Sequence, residues 1–182
     1  MKQDFIGFLA LVAISAVIGL GVNQFRANPL PLVYQTPGER LAATVVGRNS
    51  VEGGEWRVKR DAWTVTGISL DELRSLLGKP EVLILDARPT GFYKRGHIPS
   101  ALSLSKLDFQ RDFTRLLPRL REISRDPRHT THDQIVVYCY DADCDDGEIV
   151  AQALVQLGFA PVRVFKGGWE AWKAARLPVE GQ

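Results

Sequence analysis

Residues 83–104 read LILDARPTGFYKRGHIPSALSL. The stretch opens as a run of apolar residues, EVLILDAR from Glu81, that stops at a polar pair, Asp86 and Arg88. A continuous apolar run this short, without alternation, is the pattern of a strand buried on both faces, as in a parallel sheet. Working outward, the same grammar recurs. Ser69 precedes LDELRSLLG, with Glu72 three residues on and Gly78 closing the pattern, which predicts a capped short helix. Residues 107–123, LDFQRDFTRLLPRLREI, have helical apolar spacing interrupted by Pro118. A second buried strand, QIVVYCY, follows at 134–140, then an acidic loop, a helix in IVAQALVQLG, a strand in PVRVFKGG and a closing helix in WEAWKAA.

Strands alternating with helices of this length imply an α/β fold, a mostly parallel sheet with helices on both faces. Sites in such sheets gather at the carboxyl ends of the strands. Two segments occupy that position: DARP after the first strand and YCYDADCDDGE, residues 138–148, after the second.

Together these segments resemble the rhodanese-like family, in which a buried strand ends in D-x-R and is followed by an aromatic residue and G-H-I-P-x-A. The second half matches as well: a strand delivering a cysteine into a tight loop, a helix, L-G-F, a strand, and G-G-x-x-A-W. The resemblance covers about residues 67–178. It implies a rhodanese-like parallel sheet and transfer of sulfane sulfur: a cysteine takes sulfur from a donor such as thiosulfate, holds it as a persulfide and passes it to a thiol acceptor. By position the nucleophile is Cys139. The loop Tyr140, Asp141, Ala142, Asp143, Asp145, Asp146, Gly147 would cradle the substrate with backbone amides, and Asp86 and Arg88 would shape the site from the neighbouring strand. His97 reads as a loop-organising residue; Gly167 and Gly168 allow a tight turn, and Trp169 and Trp172 pack the last helix.

The loop departs from the family pattern. It is longer, Asp146 stands where the family has arginine, and Gly147 where it has a hydroxyl residue. Five carboxylates lie within ten residues, Asp141, Asp143, Asp145, Asp146 and Glu148, with no lysine or arginine among them. One charge about 6 Å from a thiolate, at an effective dielectric near 20, is worth roughly 3 kcal/mol, or about two pKa units. Carboxylates facing the thiol would oppose its ionisation and the approach of thiosulfate, so a neutral, cationic or protein-bound donor is expected. Lack of a loop arginine disfavours phosphatase or arsenate-reductase chemistry.

Cys144 is the second of only two cysteines. Separated from Cys139 by four intervening residues, it reads as a resolving thiol or as half of a dithiol switch. Two other classes therefore stay open: a C-x4-C thiol–disulfide redox module, and a non-catalytic binding module whose acidic loop docks a basic partner. Asp141, Asp143, Asp145 and Gly147 suggest a calcium loop, but glycine falls one place late and Gln152 replaces the bidentate glutamate. His129 and His132 have no zinc-finger spacing. Neither a metal nor a cofactor is expected.

Before the domain, Phe5 to Val22 is apolar except for Ser15 and spans about 27 Å as a helix. That reads as a single-pass transmembrane signal-anchor after a tail at 1–4. Lys2 before it and Arg26 after it place the soluble part outside the cytoplasm, periplasmic in a bacterium. Residues 23–66 read as a proline-containing linker with short extended pieces, and 67–182 as the rhodanese-like domain. A net charge of +2 in 182 residues gives no sign of nucleic-acid binding. The partners expected are a sulfur donor, a thiol acceptor, either of them free or protein-bound, and the membrane.

Overall fold

The computed structural model describes residues 2–26, 34–49, 65–125, 134–159 and 161–181. The chain forms two compact units, Met1–Gln35 and Thr36–Gln182. Among the described residues the first contains one helix, α1 (Lys2–Gln24), whose segment Gly7–Gln24 is long and apolar enough to cross a membrane.

The second unit is built on five strands: β1 (Thr66–Gly67), β2 (Val82–Asp86), β3 (Leu102–Ser103), β4 (Gln134–Tyr138) and β5 (Val162–Phe165). All are parallel, in the order β1-β5-β4-β2-β3. The chain leaves β2 towards β3 on one side and returns to β4 on the other. This puts the topological switch between β2 and β4, where Asp86 lies opposite Tyr138, and a crevice opens there at the carboxyl ends.

The unbroken apolar runs follow from burial on both faces. Leu83 and Leu85 of β2 with Ile135 and Val137 of β4 enter one core, beneath α2 (Pro37–Asn49), α5 (Phe109–Arg125) and α6 (Asp146–Gln156). Ile84, Val136 and Tyr138 point the other way, into a core closed by α3 (Leu70–Leu76) and α7 (Gly168–Ala174). The period of two along each strand divides the residues between faces. A further helix, α4 (Thr90–Arg95), follows β2.

The capping box predicted for α3 is present: Glu72 N–H donates to Ser69 Oγ at 3.3 Å, and Ser69 N–H donates to Glu72 Oε2 at 2.9 Å. Glu72 also meets Arg163 of β5 at 3.2 Å. The backbone and hydroxyl of Ser69, then Arg163, hold its carboxyl at about 2, below the ordinary 4.5.

Two expectations change. The linker assigned to 23–66 contains α2, which is part of the domain: Ala42 and Val45 are buried in the first core. Its start is a second capping box, with Thr36 N–H donating to Glu39 Oε2 at 2.8 Å and Glu39 N–H to Thr36 Oγ1 at 3.2 Å. Pro37 sits at the first helical position, where its missing N–H is no loss. The extended pieces expected around residues 51–64 lie outside the described residues. Pro118, expected to interrupt its helix, lies inside α5. The carbonyl it leaves without a donor belongs to Thr114, and both residues are exposed, so water can satisfy it.

Ser69→Ala is expected to lower stability by about 1 kcal/mol in denaturant melts. Because the Glu72 carboxylate is held low, its contribution is full above about pH 4.5 and disappears as pH falls through about 2. Glu72→Gln should therefore melt lower than wild type at neutral pH, with the gap narrowing across that window.

Candidate active site

The cysteine loop is fixed from three directions. From below, β4 ends at Tyr138 and delivers Cys139, only 5% exposed, at the head of the sheet. From behind, the turn into α7 grips its backbone: Trp169 N–H donates to Cys139 O and Glu170 N–H to Tyr140 O, both at 2.9 Å. This approach requires Gly168, which has φ 62° and where an added Cβ would lie 2.7 Å from Tyr140 O and 2.8 Å from Asp141 N. In front, the first turn of α6 abuts the cysteine, with Gly147 so near that a Cβ there would touch Cys139 Cβ at 3.4 Å.

Within the loop, Asp143 N–H donates to Asp141 Oδ1 at 3.1 Å and Cys144 N–H to Asp141 O at 3.3 Å. An aspartate receiving the amide two residues on makes an Asx-turn, and this one doubles the chain back. Cys144 is thereby brought to Cys139, with Cα atoms 6.1 Å apart, and the two form a disulfide. Cys144 is the more accessible of the pair.

A cleft of about 20 Å³ adjoins the disulfide, lined by Cys139, Cys144, Asp145, Gly147, Val164 and Lys166 among others. That is room for about one water-sized group. Of the expected loop contacts, Asp141 and Ala142 also line it, whereas Tyr140, Asp143 and Asp146 do not. Tyr140 turns outward instead, 39% exposed, its ring edge-on to Phe92 with centroids 6.1 Å apart. The hydrogen bond to Glu170, then the charge of that carboxylate, raises the Tyr140 phenol above its ordinary range.

The acidic loop is partly neutralised by residues distant in sequence. Lys106, just after β3, forms an ion pair with Asp146. Lys166, just after β5, pairs with Glu148 at 3.1 Å. Two of the five carboxylates are matched in this way, and Asp141 is committed to the backbone. Neither lysine was found from the sequence, because the only signal was their place after a strand.

Asp86 and Arg88, expected to shape the site from the neighbouring strand, are 0% and 2% exposed and turned to one another. Arg88 Nε donates to Asp86 Oδ1 at 3.0 Å and Nη2 to Oδ2 at 2.6 Å; Nη2 also donates to Gly96 O at 2.7 Å. Tyr138 Oη donates to Asp86 Oδ2 at 2.6 Å and accepts from Ile98 N–H at 3.2 Å. The guanidinium carbon lies 4.6 Å over the Trp169 ring. Burial opposes the Arg88 charge, and the hydrogen bonds and charge of Asp86 more than offset this, leaving it above the ordinary arginine value. Burial and then the Asp86 charge raise the Tyr138 phenol well above its usual range. These residues position the loop rather than line it. His97 is likewise structural, stacked on Tyr93 and in an antiparallel bridge with Glu180.

A strand-end cysteine held against a helix N-terminus, at the switch point of a parallel α/β sheet, is placed where a thiolate can be stabilised. The family model for the rhodanese-like domain matches residues 69–175, and the chain belongs to that family. Among its relatives, thiosulfate sulfurtransferase GlpE of Coxiella burnetii (strain RSA 331 / Henzerling II) is 34% identical over 107 residues, 59% of this chain and 86% of that protein. The protein of the same description from Pseudoalteromonas translucida (strain TAC 125) is 32% identical over 109 residues, 59% and 89% respectively. The crystal structure of the BH2092 protein from Bacillus halodurans is similar with TM-score 0.51 and 26% identity, over 64% of this chain and 77% of that one.

Arg88→Met leaves Asp86 charged and buried, so it is expected to destabilise the domain by about 3–5 kcal/mol. Arg88→Lys should recover only part of this, because lysine lacks the planar fork. Chemical denaturation of the three proteins measures both.

Proposed function

We propose that this chain is a membrane-anchored sulfurtransferase in which Cys139 accepts sulfane sulfur, carries it as a persulfide and delivers it to a thiol acceptor. The observation that carries the reading is the seat of Cys139: a buried strand end, backbone locked by α7, abutting the first turn of α6, whose dipole favours a thiolate. The sulfurtransferase relatives support the same chemistry. The apolar α1 supports the anchor, and a disulfide in the domain fits an extracytoplasmic compartment.

The reaction begins from the dithiol form. Cys139 thiolate attacks the donor's outer sulfur; the donor leaves with the electron pair as a thiolate, or as sulfite when thiosulfate is the donor. An acceptor thiolate then attacks the outer sulfur of the persulfide and frees Cys139 as thiolate. Tight space beside the cysteines and the carboxylates of Asp143 and Asp145 favour a persulfide presented by a protein over the free thiosulfate dianion.

A second reading is supported by the disulfide between Cys139 and Cys144: the loop works as a thiol–disulfide module without carrying sulfur.

Mass spectrometry of the reduced protein after incubation with a protein persulfide distinguishes the two. Carriage gives Cys144→Ser a gain of one sulfur, about 32 Da, that Cys139→Ser does not show. Uptake by neither wild type nor Cys144→Ser, with a reversible loss of about 2 Da on mild oxidation, leaves the redox reading alone. On the carrier reading, Asp143→Asn with Asp145→Asn should raise kcat/KM for thiosulfate about threefold, and the gain should shrink as salt screens the charges.

A further inference from the structure

We infer that the protein has a second activity at the same loop: dithiol-dependent reduction of sulfane sulfur to sulfide, with Cys144 both the entry point for electrons and the group that expels sulfide. The inference rests on the carrier reading and on three observations. The two sulfurs are bonded in the folded loop, and Asp141 shapes the turn that brings them together. Cys144 is partly exposed, whereas Cys139 is 5% exposed and roofed by Gly147 of α6. The cleft at the pair admits about one water-sized group, enough for the single extra sulfur of a persulfide.

Exposure decides the direction of exchange. A thiolate of a dithiol reductant reaches Cys144 Sγ, not Cys139. It forms a mixed disulfide there, and the Cys139–Cys144 bond breaks with its electron pair leaving on Cys139. The helix N-terminus beside Cys139 makes it the better leaving group, since exchange is faster when the departing thiol is the more acidic. The reductant's second thiol then attacks the mixed disulfide, departs as the oxidised dithiol and frees Cys144. Cys139 thiolate next takes the outer sulfur from the donor.

With the loop already bent, Cys144 thiolate attacks Cys139 Sγ. The bond to the outer sulfur breaks and that sulfur leaves as hydrosulfide. The disulfide is restored. Across the cycle one sulfane sulfur gains two electrons and becomes sulfide, and one dithiol loses two and becomes a disulfide. Transfer to an outside acceptor therefore competes with internal resolution, and the supply of reductant sets how often the site is opened.

A single-turnover experiment tests this on the full chain in detergent micelles, reduced with dithiothreitol, desalted and given glutathione persulfide. Wild type should release about one sulfide per chain, end as the disulfide and retain no added sulfur. Cys144→Ser and Cys144→Ala should hold the sulfur on Cys139 and release sulfide at least about tenfold more slowly. Wild type that keeps the added sulfur and releases none, while both variants load, overturns the inference and leaves the carrier reading intact. Failure of both variants to load sinks both.

The direction of exchange is read separately, by treating the oxidised chain with limiting glutathione and iodoacetamide. Glutathione on Cys144 and alkylation on Cys139 are expected; the reverse pattern overturns the assignment.

Discussion

One buried carboxylate, Asp86, holds the site together. It ends β2, receives two prongs of the Arg88 guanidinium and takes the Tyr138 hydroxyl from β4. Arg88 in turn supports Trp169, whose amide holds the carbonyl of Cys139. A charge removed from water is tolerated only when its lone pairs are filled, and here filling them ties the switch-point strands and the α7 turn into one frame. The cysteine rides on that frame. Its backbone is fixed there by the amides of the α7 turn.

Precision at Cys139 contrasts with the loop beyond it. Residues 140–145 contribute no residue to the buried core, and their shape comes from the Asx-turn at Asp141 and the Gly168 contact. Loops with few buried contacts open at low free-energy cost, and the proposed chemistry takes this C-x4-C loop through disulfide, dithiol and persulfide. Burial is complete under Cys139 and partial around Cys144.

Much of the domain was legible in the residues. The buried strands, the Ser69–Glu72 cap and the strand-end position of Cys139 follow from local patterns with a direct physical cause. The α2 helix was legible too, in the T-P-G-E start at Thr36, but the prolines were read as breakers when Pro37 occupies the one turn that accepts it. The direction in which Arg88 points was not legible, for a different reason. A guanidinium at a strand end faces substrate or core according to which neighbours bury it, and those neighbours, Gly96, Tyr138 and Trp169, come from three other segments.

Electrostatics marks the boundary between the two sources. The sequence by itself determined that a parallel α/β sheet forms, that Cys139 ends one of its strands, and that a second cysteine and five carboxylates follow, because periodicity and order along the chain carry that information. Tertiary structure alone decided what the carboxylates do. Lys106 and Lys166 lie tens of residues from one another, and only the parallel sheet, which brings all strand ends to one edge, sets them against Asp146 and Glu148. Charge interactions depend on separation through space, so a loop that reads as uniformly acidic along the chain is in the fold a partly balanced rim around two sulfurs.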